Sequence, residues 1–195
     1  MVNLHRIKQH NMSAKVKTSK ESSVSITELM KPSNSNFSGK IHGGYILNLM
    51  DQIAFACSSK YSGKYCVTAS INTVDFLNPV NVGELLTLKA RVNYVGRTSM
   101  TVGIRVTSEN INTGEIKHCN SSYFLMVAKN EDGTNAEVPK LKLTSKEGVR
   151  RFIRSLDRLN DKRQRKKDFH KDEFSYENYQ EEIKKHNVVI ELSED

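Results

Sequence analysis

Tryptophan is absent from this sequence, and cysteine and proline occur only three times each. Cys57, Cys66 and Cys119 form no Cys-x-x-Cys pair, and an odd number of cysteines cannot all join in disulfides. These counts exclude a disulfide-rich secreted domain and a zinc ribbon. They favour buried cysteines in a reducing compartment, so we expect a cytoplasmic protein without a metal site.

Long apolar runs are also missing. No segment approaches the roughly 20 apolar residues that a membrane-spanning helix needs, and the first residues lack the apolar core of a secretion signal. We therefore expect no membrane span. A length of 195 residues allows one domain with extensions.

Positive charge is distributed unevenly along the chain. The net charge is +8, and residues 1–22 contribute five lysines and arginines against the single acid Glu21. No zinc-ligand pattern, RNP-like aromatic strand or helix-turn-helix pair accompanies this excess, so we expect no nucleic-acid binding. The positive charge instead favours a basic cleft that binds a polyanionic cofactor.

The stretch from Asn36 to Cys57 differs from the rest of the chain. A polar, glycine-bearing loop leads into apolar residues at 45/46, 49/50, 53/54 and 56/57, the spacing of one helical face. This pattern predicts a core helix. Asp51 is the only residue certain to be charged between positions 41 and 59. A lone carboxylate on a buried helix is costly unless it is hydrogen-bonded, paired or facing a cleft, so Asp51 is a candidate functional residue.

The start of this helix indicates what Asp51 can do. Gly43 and Gly44 leave the first N–H groups open to close approach, and these groups suit an anion or a developing oxyanion. Asn36 and His42 add an amide and an imidazole. An acid, an amide and a helix N-terminus together suit acyl transfer. Each feature also has a structural explanation, as a solvated aspartate, a glycine turn and a capping or packing histidine.

The surrounding pattern predicts an α+β domain with a curved antiparallel sheet around one long helix. An alternating strand at Val24–Met30 precedes the helix, which is expected to end near Gly63. Four strands follow, at Tyr65–Phe76, Glu84–Tyr94, Ser99–Glu109 and Ile116–Ala128. We place a basic flexible tail at residues 1–22, the folded domain at 23–143 and a charged extension at 144–195, helical to about residue 165. The extension helix either packs as a solvated helix or holds the nucleotide end of a cofactor.

A family resemblance rests on the central motif. Asn36-x-x-Gly39-x-x-His42-Gly43-Gly44, with Asp51 seven residues later, resembles the signature of hotdog-fold acyl-CoA thioesterases, which include bacterial acyl-CoA hydrolases and the brain-type cytosolic enzyme. Further segments fit in order, at residues 74–80 with Gly83, 95–100 and 123–128. The resemblance covers about residues 23–143 and neither tail.

The resemblance implies the hotdog fold and a homo-oligomer. Family members pair their sheets into dimers, often three dimers to a hexamer, and their active sites lie at the dimer interface. Asn36 of one subunit is then expected to face Asp51 of the other.

The implied reaction is hydrolysis of an acyl-CoA thioester to free fatty acid and coenzyme A. The carbonyl is expected against the N–H groups of Gly43 and Gly44, with Asp51 as general base on a water or as nucleophile. Asn36 positions the water or the carbonyl, and His42 is a supporting substrate-binding residue.

The remaining substrate contacts follow from the same resemblance. We assign coenzyme A contacts to Arg97 and Ser99, because guanidinium and hydroxyl groups suit phosphates. An exposed β-turn is the alternative explanation of Arg97. The acyl chain is expected along Val74 and Phe76. No separate cofactor is expected, because coenzyme A is part of substrate and product.

Two other functions compete with hydrolysis. A hotdog hydratase or dehydratase uses a histidine and carboxylate pair in a different motif order, which is absent here. A non-catalytic acyl-CoA binding or sensing protein remains the alternative. Such a sensor should tolerate loss of Asp51, whereas the enzyme should not.

Overall fold

Twenty residues from Gly43 to Ser62 form helix α1, the predicted central helix, in the computed structural model, which describes residues 16–168, 175–183 and 185–190. The helix ends at Gly63, which adopts the left-handed conformation with φ 70°. Its buried side carries Ile46, Leu49, Met50, Ile53, Ala54, Cys57 and Tyr61. The apolar periodicity therefore placed the helix correctly.

A five-stranded antiparallel sheet wraps around the buried side of α1. Its strands are β2 (Val24–Leu29), β3 (Tyr65–Ile71), β4 (Leu85–Val95), β5 (Ser99–Glu109) and β6 (Ile116–Lys129). Their spatial order is β2-β4-β5-β6-β3, so β2 and β3 are the edge strands. This architecture confirms the predicted α+β fold.

The core lies between α1 and the inner face of the sheet. Alternate residues of β5 point inward, and Met100, Val102 and Val106 are fully buried. All three cysteines are buried and free.

One predicted strand is shorter than expected. The strand predicted to reach Phe76 ends at Ile71, and residues 72–79 are irregular. The carbonyls of Asn72 and Thr73 accept hydrogen bonds from the side chain of Ser122 instead of continuing the strand ladder. The β-branched and aromatic residues of this segment favour a strand, but the backbone hydrogen bonds that join it to β6 are isolated, from the N–H of Asn72 to Tyr123 and from that of Leu77 to Cys119.

Part of the predicted N-terminal tail is folded, so its boundary at residue 22 was wrong. Strand β1 (Val16–Thr18) pairs in parallel with β7 (Lys140–Lys142), and a 3-10 turn follows at Ser19–Ser22. The hydroxyl of Tyr61 on α1 lies 3.1 Å from the carbonyl oxygen of Lys140. Residues 1–15 lie outside the described residues.

The extension begins with helix α2 (Lys146–Asp168), slightly longer than the predicted helix. Ser145 caps it by accepting a hydrogen bond from the N–H of Gly148 at 3.0 Å. The chain divides into two compact units, the first ending at Leu156 and the second beginning at Asp157.

The second unit contains the rest of α2, a 3-10 turn at Tyr176–Tyr179 and helix α3 (Gln180–Ile183). Residues 169–174, 184 and 191–195 of the predicted extension lie outside the described residues. None of the helices in the described ranges is long and apolar enough to cross a membrane.

A buried carboxylate ties the loop before β4 to the sheet. Glu84 accepts hydrogen bonds from the ammonium of Lys117 at 2.8 Å, from the backbone and side chain of Asn81, and from the hydroxyl of Ser108. Burial alone raises the pKa of Glu84, but these hydrogen bonds outweigh it and lower the pKa to about 2.

We therefore expect an acid-labile contribution to stability. Because the folded pKa lies below the ordinary value of 4.5, the contribution is complete above pH 4.5 and is lost as the pH falls toward 2. Its size is about 3 kcal/mol. Urea denaturation across this pH range should show a steep loss of stability in the parent and a shallower loss in Glu84→Gln. Equal slopes for the two proteins would contradict the assignment.

Candidate active site

Asp51 lies in the third turn of α1, on the side of the helix that the sheet does not cover. The side chain of Asp51 is exposed in the single chain. It lines an open groove with Gln52, Phe55, Tyr65 and Thr68. Asp51 therefore faces a cleft, where its carboxylate avoids the desolvation cost of burial on an apolar helix.

Thr68 holds the carboxylate of Asp51. Its hydroxyl donates a hydrogen bond of 2.6 Å to Oδ1 of Asp51. The pairing of β3 with β6 shifts register between Thr68 and Ser70, and such irregularities re-aim side chains beside functional sites. The sequence analysis missed Thr68, because a threonine among β-branched residues reads as an ordinary strand residue.

Open N–H groups lie at the start of α1, as predicted. The amides of Gly43 and Gly44 have no acceptor among the described residues, whereas those of Tyr45 and Ile46 bond the carbonyl of His42. The ring of Phe76 lies 3.1 Å from the position that a Cβ on Gly43 would occupy, and Gly44 borders open space. The structure thus brings together Gly43, Gly44 and Phe76 from the predicted set.

Asn36 lies in a narrow loop that projects before α1. Its Oδ1 accepts hydrogen bonds from the backbone N–H and hydroxyl of Ser38 and from the N–H of Lys40, at 2.8 to 3.1 Å. These contacts orient the amide, and its Nδ2 has no acceptor within the described part of the chain. Phe37 at the tip of this loop is fully exposed.

For two other predicted residues, His42 and Val74, the described part of the chain shows no side-chain hydrogen bond. His42 is exposed, and its backbone rather than its ring joins the loop to the helix. Val74 is half-buried in the irregular segment after β3. Their predicted roles in substrate binding stay predictions.

Arg97 and Ser99 lie elsewhere in the chain, at the hairpin between β4 and β5. The Arg97 guanidinium is exposed and lies 3.8 Å from the carboxylate of Glu137. Met100 points inward to α1, so the adjacent Ser99 points to the outer face of the sheet. Within one chain, the structure does not bring these two residues together with Asp51.

The helix also separates Asp51 from the glycine amides. Seven residues separate Gly44 from Asp51, which puts them on the same side of α1 but about 10 Å apart along its axis. Asp51 therefore does not lie beside the N–H groups of its own helix.

Several large apolar side chains are exposed on the edge strand β3, on α1 beside it, and in the segments before α1 and after β3. They are Phe37, Phe55, Tyr65, Ile71, Phe76 and Leu77. An unpaired strand edge beside exposed aromatic residues is typical of a surface that pairs with another chain.

Comparison with known proteins places this arrangement among thioesterases. A family described as "Thioesterase superfamily" matches residues 38–115. Protein VdlD of Helicobacter pylori is 43% identical over 143 residues, covering 73% of this chain and 82% of that protein. The uncharacterized acyl-CoA thioester hydrolase YkhA of Bacillus subtilis is 30% identical over 148 residues, covering 76% of this chain and 86% of that protein.

Solved structures agree with the fold. The crystal structure of an apo-hexameric acyl-CoA thioesterase matches 77% of this chain and 97% of that chain, with a TM-score of 0.75 and 34% identity. An acyl-CoA hydrolase from Staphylococcus aureus in complex with butyryl-CoA and coenzyme A matches with a TM-score of 0.73 and 25% identity, covering 78% of this chain and 93% of that chain. Variants of that enzyme with alanine at one aspartate and at one threonine have also been solved.

The two adjacent glycines should respond differently to the same substitution. Gly44→Ala places its methyl group in open space and improves helix propensity, whereas Gly43→Ala forces the Phe76 ring to move. We expect Gly43→Ala to be less stable than Gly44→Ala in urea denaturation by at most about 1 kcal/mol, because the half-exposed Phe76 ring needs to shift by only a few tenths of an ångström. Adding Phe76→Ala to both variants should remove the difference, and a persistent difference would show that the ring is not its cause.

Proposed function

The chain belongs to the thioesterase superfamily of hotdog-fold enzymes, and from this premise we propose that it hydrolyses acyl-CoA thioesters to free fatty acid and coenzyme A. The hydrogen bond between Thr68 and Asp51 is the observation that carries the proposal. It orients one carboxylate, beside an open groove, on a helix whose first two amides have no acceptor among the described residues. The free cysteines support a reducing compartment such as the cytoplasm.

Asp51 acts as the general base. With Oδ1 held by Thr68, Oδ2 is left to accept a proton from a water that attacks the thioester carbonyl. The aspartate and threonine replaced in the S. aureus enzyme are seventeen positions apart, the same separation as Asp51 and Thr68. This matching separation supports a joint role for the pair, in which Thr68 positions the base.

The N–H groups of Gly43 and Gly44 polarise the thioester carbonyl. They lie at the positive end of α1 with no acceptor among the described residues, and a donor of this kind stabilises the developing oxyanion by about 3 to 4 kcal/mol. The thiolate of coenzyme A is a good leaving group, so the reaction needs no second acid. Phe76, beside Gly43, and Val74 contact the acyl chain.

Asn36 supplies a further donor. Its oxygen is held by the Ser38–Lys40 turn, so its Nδ2 points away from the loop and can bond the carbonyl or the attacking water. His42 supports the same loop from the start of the helix.

The complete site requires two subunits. Asp51 lies about 10 Å along the helix from its own glycine amides, and a two-fold axis can bring the start of one α1 beside the middle of the other. The exposed apolar edge at β3 supports such a dimer. The hexameric relative supports a trimer of dimers, in which Arg97 and Ser99 contact coenzyme A from a neighbouring chain. No separate cofactor takes part.

Thiol release from a panel of acyl-CoAs, from acetyl to palmitoyl, tests the reaction. We expect Asp51→Asn to lower turnover by about 10²- to 10⁴-fold, because water loses its base. Thr68→Val should lose part of the rate while Thr68→Ser, which keeps the hydroxyl, retains most of it. Asp132→Asn, a matched substitution in an exposed turn, should leave the rate unchanged. A parent protein that binds acyl-CoA without releasing thiol would instead be a sensor.

Mixing two inactive variants tests whether the site is shared. If Asn36 and Asp51 come from different chains, a dimer of one Asn36→Ala chain and one Asp51→Asn chain contains one intact site. Equal mixing after subunit exchange should then restore about a quarter of the parental activity, because half the dimers are mixed. Activity that stays at the level of the separate variants would place both residues in one chain's site.

A further inference from the structure

A second pocket lies on the outer face of the sheet, on the opposite side from α1. It is lined by six cationic side chains, three from β4 and β5 and three from the first turns of α2, namely Lys89, Arg91, Arg105, Arg150, Arg151 and Arg154. No carboxylate is among the described residues that line it. The first turns of α2, which we expected either to pack or to bind a cofactor, therefore form one wall of this pocket.

The positive side chains are crowded at a cost to the fold. Lys89 and Arg105 stand directly opposite each other on adjacent strands, where like charges repel. Neither forms an ion pair within the described ranges. Partial burial, and then the charge of Arg151, lowers the pKa of Arg91. Glu147 bonds Arg150 and Arg151 at 2.5 and 2.8 Å, which offsets only part of the excess.

The floor of the pocket is also polar. Asn93 is only 7% exposed and lines the pocket, yet its Oδ1 has no hydrogen-bond partner among the described residues. Gly103 beside it has no side chain, and a Cβ there would come within 2.1 Å of the Asn93 amide nitrogen. A buried acceptor without a partner is costly, so it favours a ligand hydroxyl or a bound water.

The size of the pocket limits the ligand. Its volume is about 220 Å³, below the roughly 300 to 1,000 Å³ of typical cofactor sites. A compact anion fits within the pocket, whereas most of a nucleotide or of coenzyme A would lie outside it. One guanidinium group can donate two parallel hydrogen bonds to the oxygens of a phosphate. A singly protonated phosphate also has a hydroxyl, which can donate a hydrogen bond to Oδ1 of Asn93.

We propose that this pocket binds a compact polyanion with two linked phosphate groups, of the pyrophosphate type, at a site separate from the candidate active site. The ligand bridges Lys89, Arg91 and Arg105 on the sheet to the arginines of α2. Binding thereby secures the first turns of α2 against the outer face of the sheet and relieves the repulsion among the cations.

Isothermal titration of the intact chain with pyrophosphate, in about 0.1 M salt, tests the site. We expect one saturable site per chain, with orthophosphate and sulfate binding more weakly. The double variant Arg91→Gln/Arg105→Gln should weaken binding at least about tenfold. Lys89→Gln should also weaken it, whereas Lys64→Gln, the same change in the turn after α1, should not.

Thermal unfolding provides a second test, because the difference in Tm between Arg105→Gln and the parent should change sign when pyrophosphate is added. Without a polyanion, Arg105→Gln should raise the Tm, because the repulsion with Lys89 is removed. With saturating pyrophosphate, the parent should become the more stable protein. The proposal is overturned if pyrophosphate binding shows no saturation, or if Lys64→Gln weakens binding as much as Lys89→Gln. It is also overturned if coenzyme A competes with pyrophosphate, because competition would make the pocket part of the substrate site.

Discussion

One curved sheet can cover only one side of the helix it wraps, and much of this structure follows from that limit. The buried side of α1 packs against all five strands of the main sheet, but Asn48, Asp51, Gln52 and Phe55 remain uncovered. The free edge of β3 lies beside them. Because the uncovered side of α1 carries both the proposed base and apolar side chains, assembly and catalysis depend on the same surface.

The elements with strong periodicity could be predicted from the sequence. Helix α1 ends where Gly63 takes the left-handed conformation, and β5 spans the predicted residues from Ser99 to Glu109. The strand predicted to reach Phe76 ended at Ile71 although its partner β6 continues to Ile116, because strand propensity does not show where the backbone leaves the ladder. Strand β1 was missed because three residues are too few to show a pattern, and its partner β7 is distant in sequence.

The candidate site was predictable only in part. Asp51 stood out as an isolated charge on an apolar helix, yet apolar periodicity does not say whether a residue is covered by its own chain or by another. No sequence pattern marked Thr68 as functional. Its contact with Asp51 depends on how β3 packs beside α1, next to an irregularity in the strand pairing. The basic pocket combines strands and α2, so it too depends on tertiary packing.

The pairing of β1 with β7 affects how the domain is completed during synthesis. Val16 leaves the ribosome early, but its partner Lys140 follows only after every strand of the main sheet has been made. Contacts between such distant residues form slowly, because closing the long loop costs conformational entropy before the contacts can stabilise it. The hydroxyl of Tyr61 lies against this pair and ties it to α1. A ribosome that stalls before residue 140 would therefore expose β1 as an unpaired strand, available to neighbouring nascent chains.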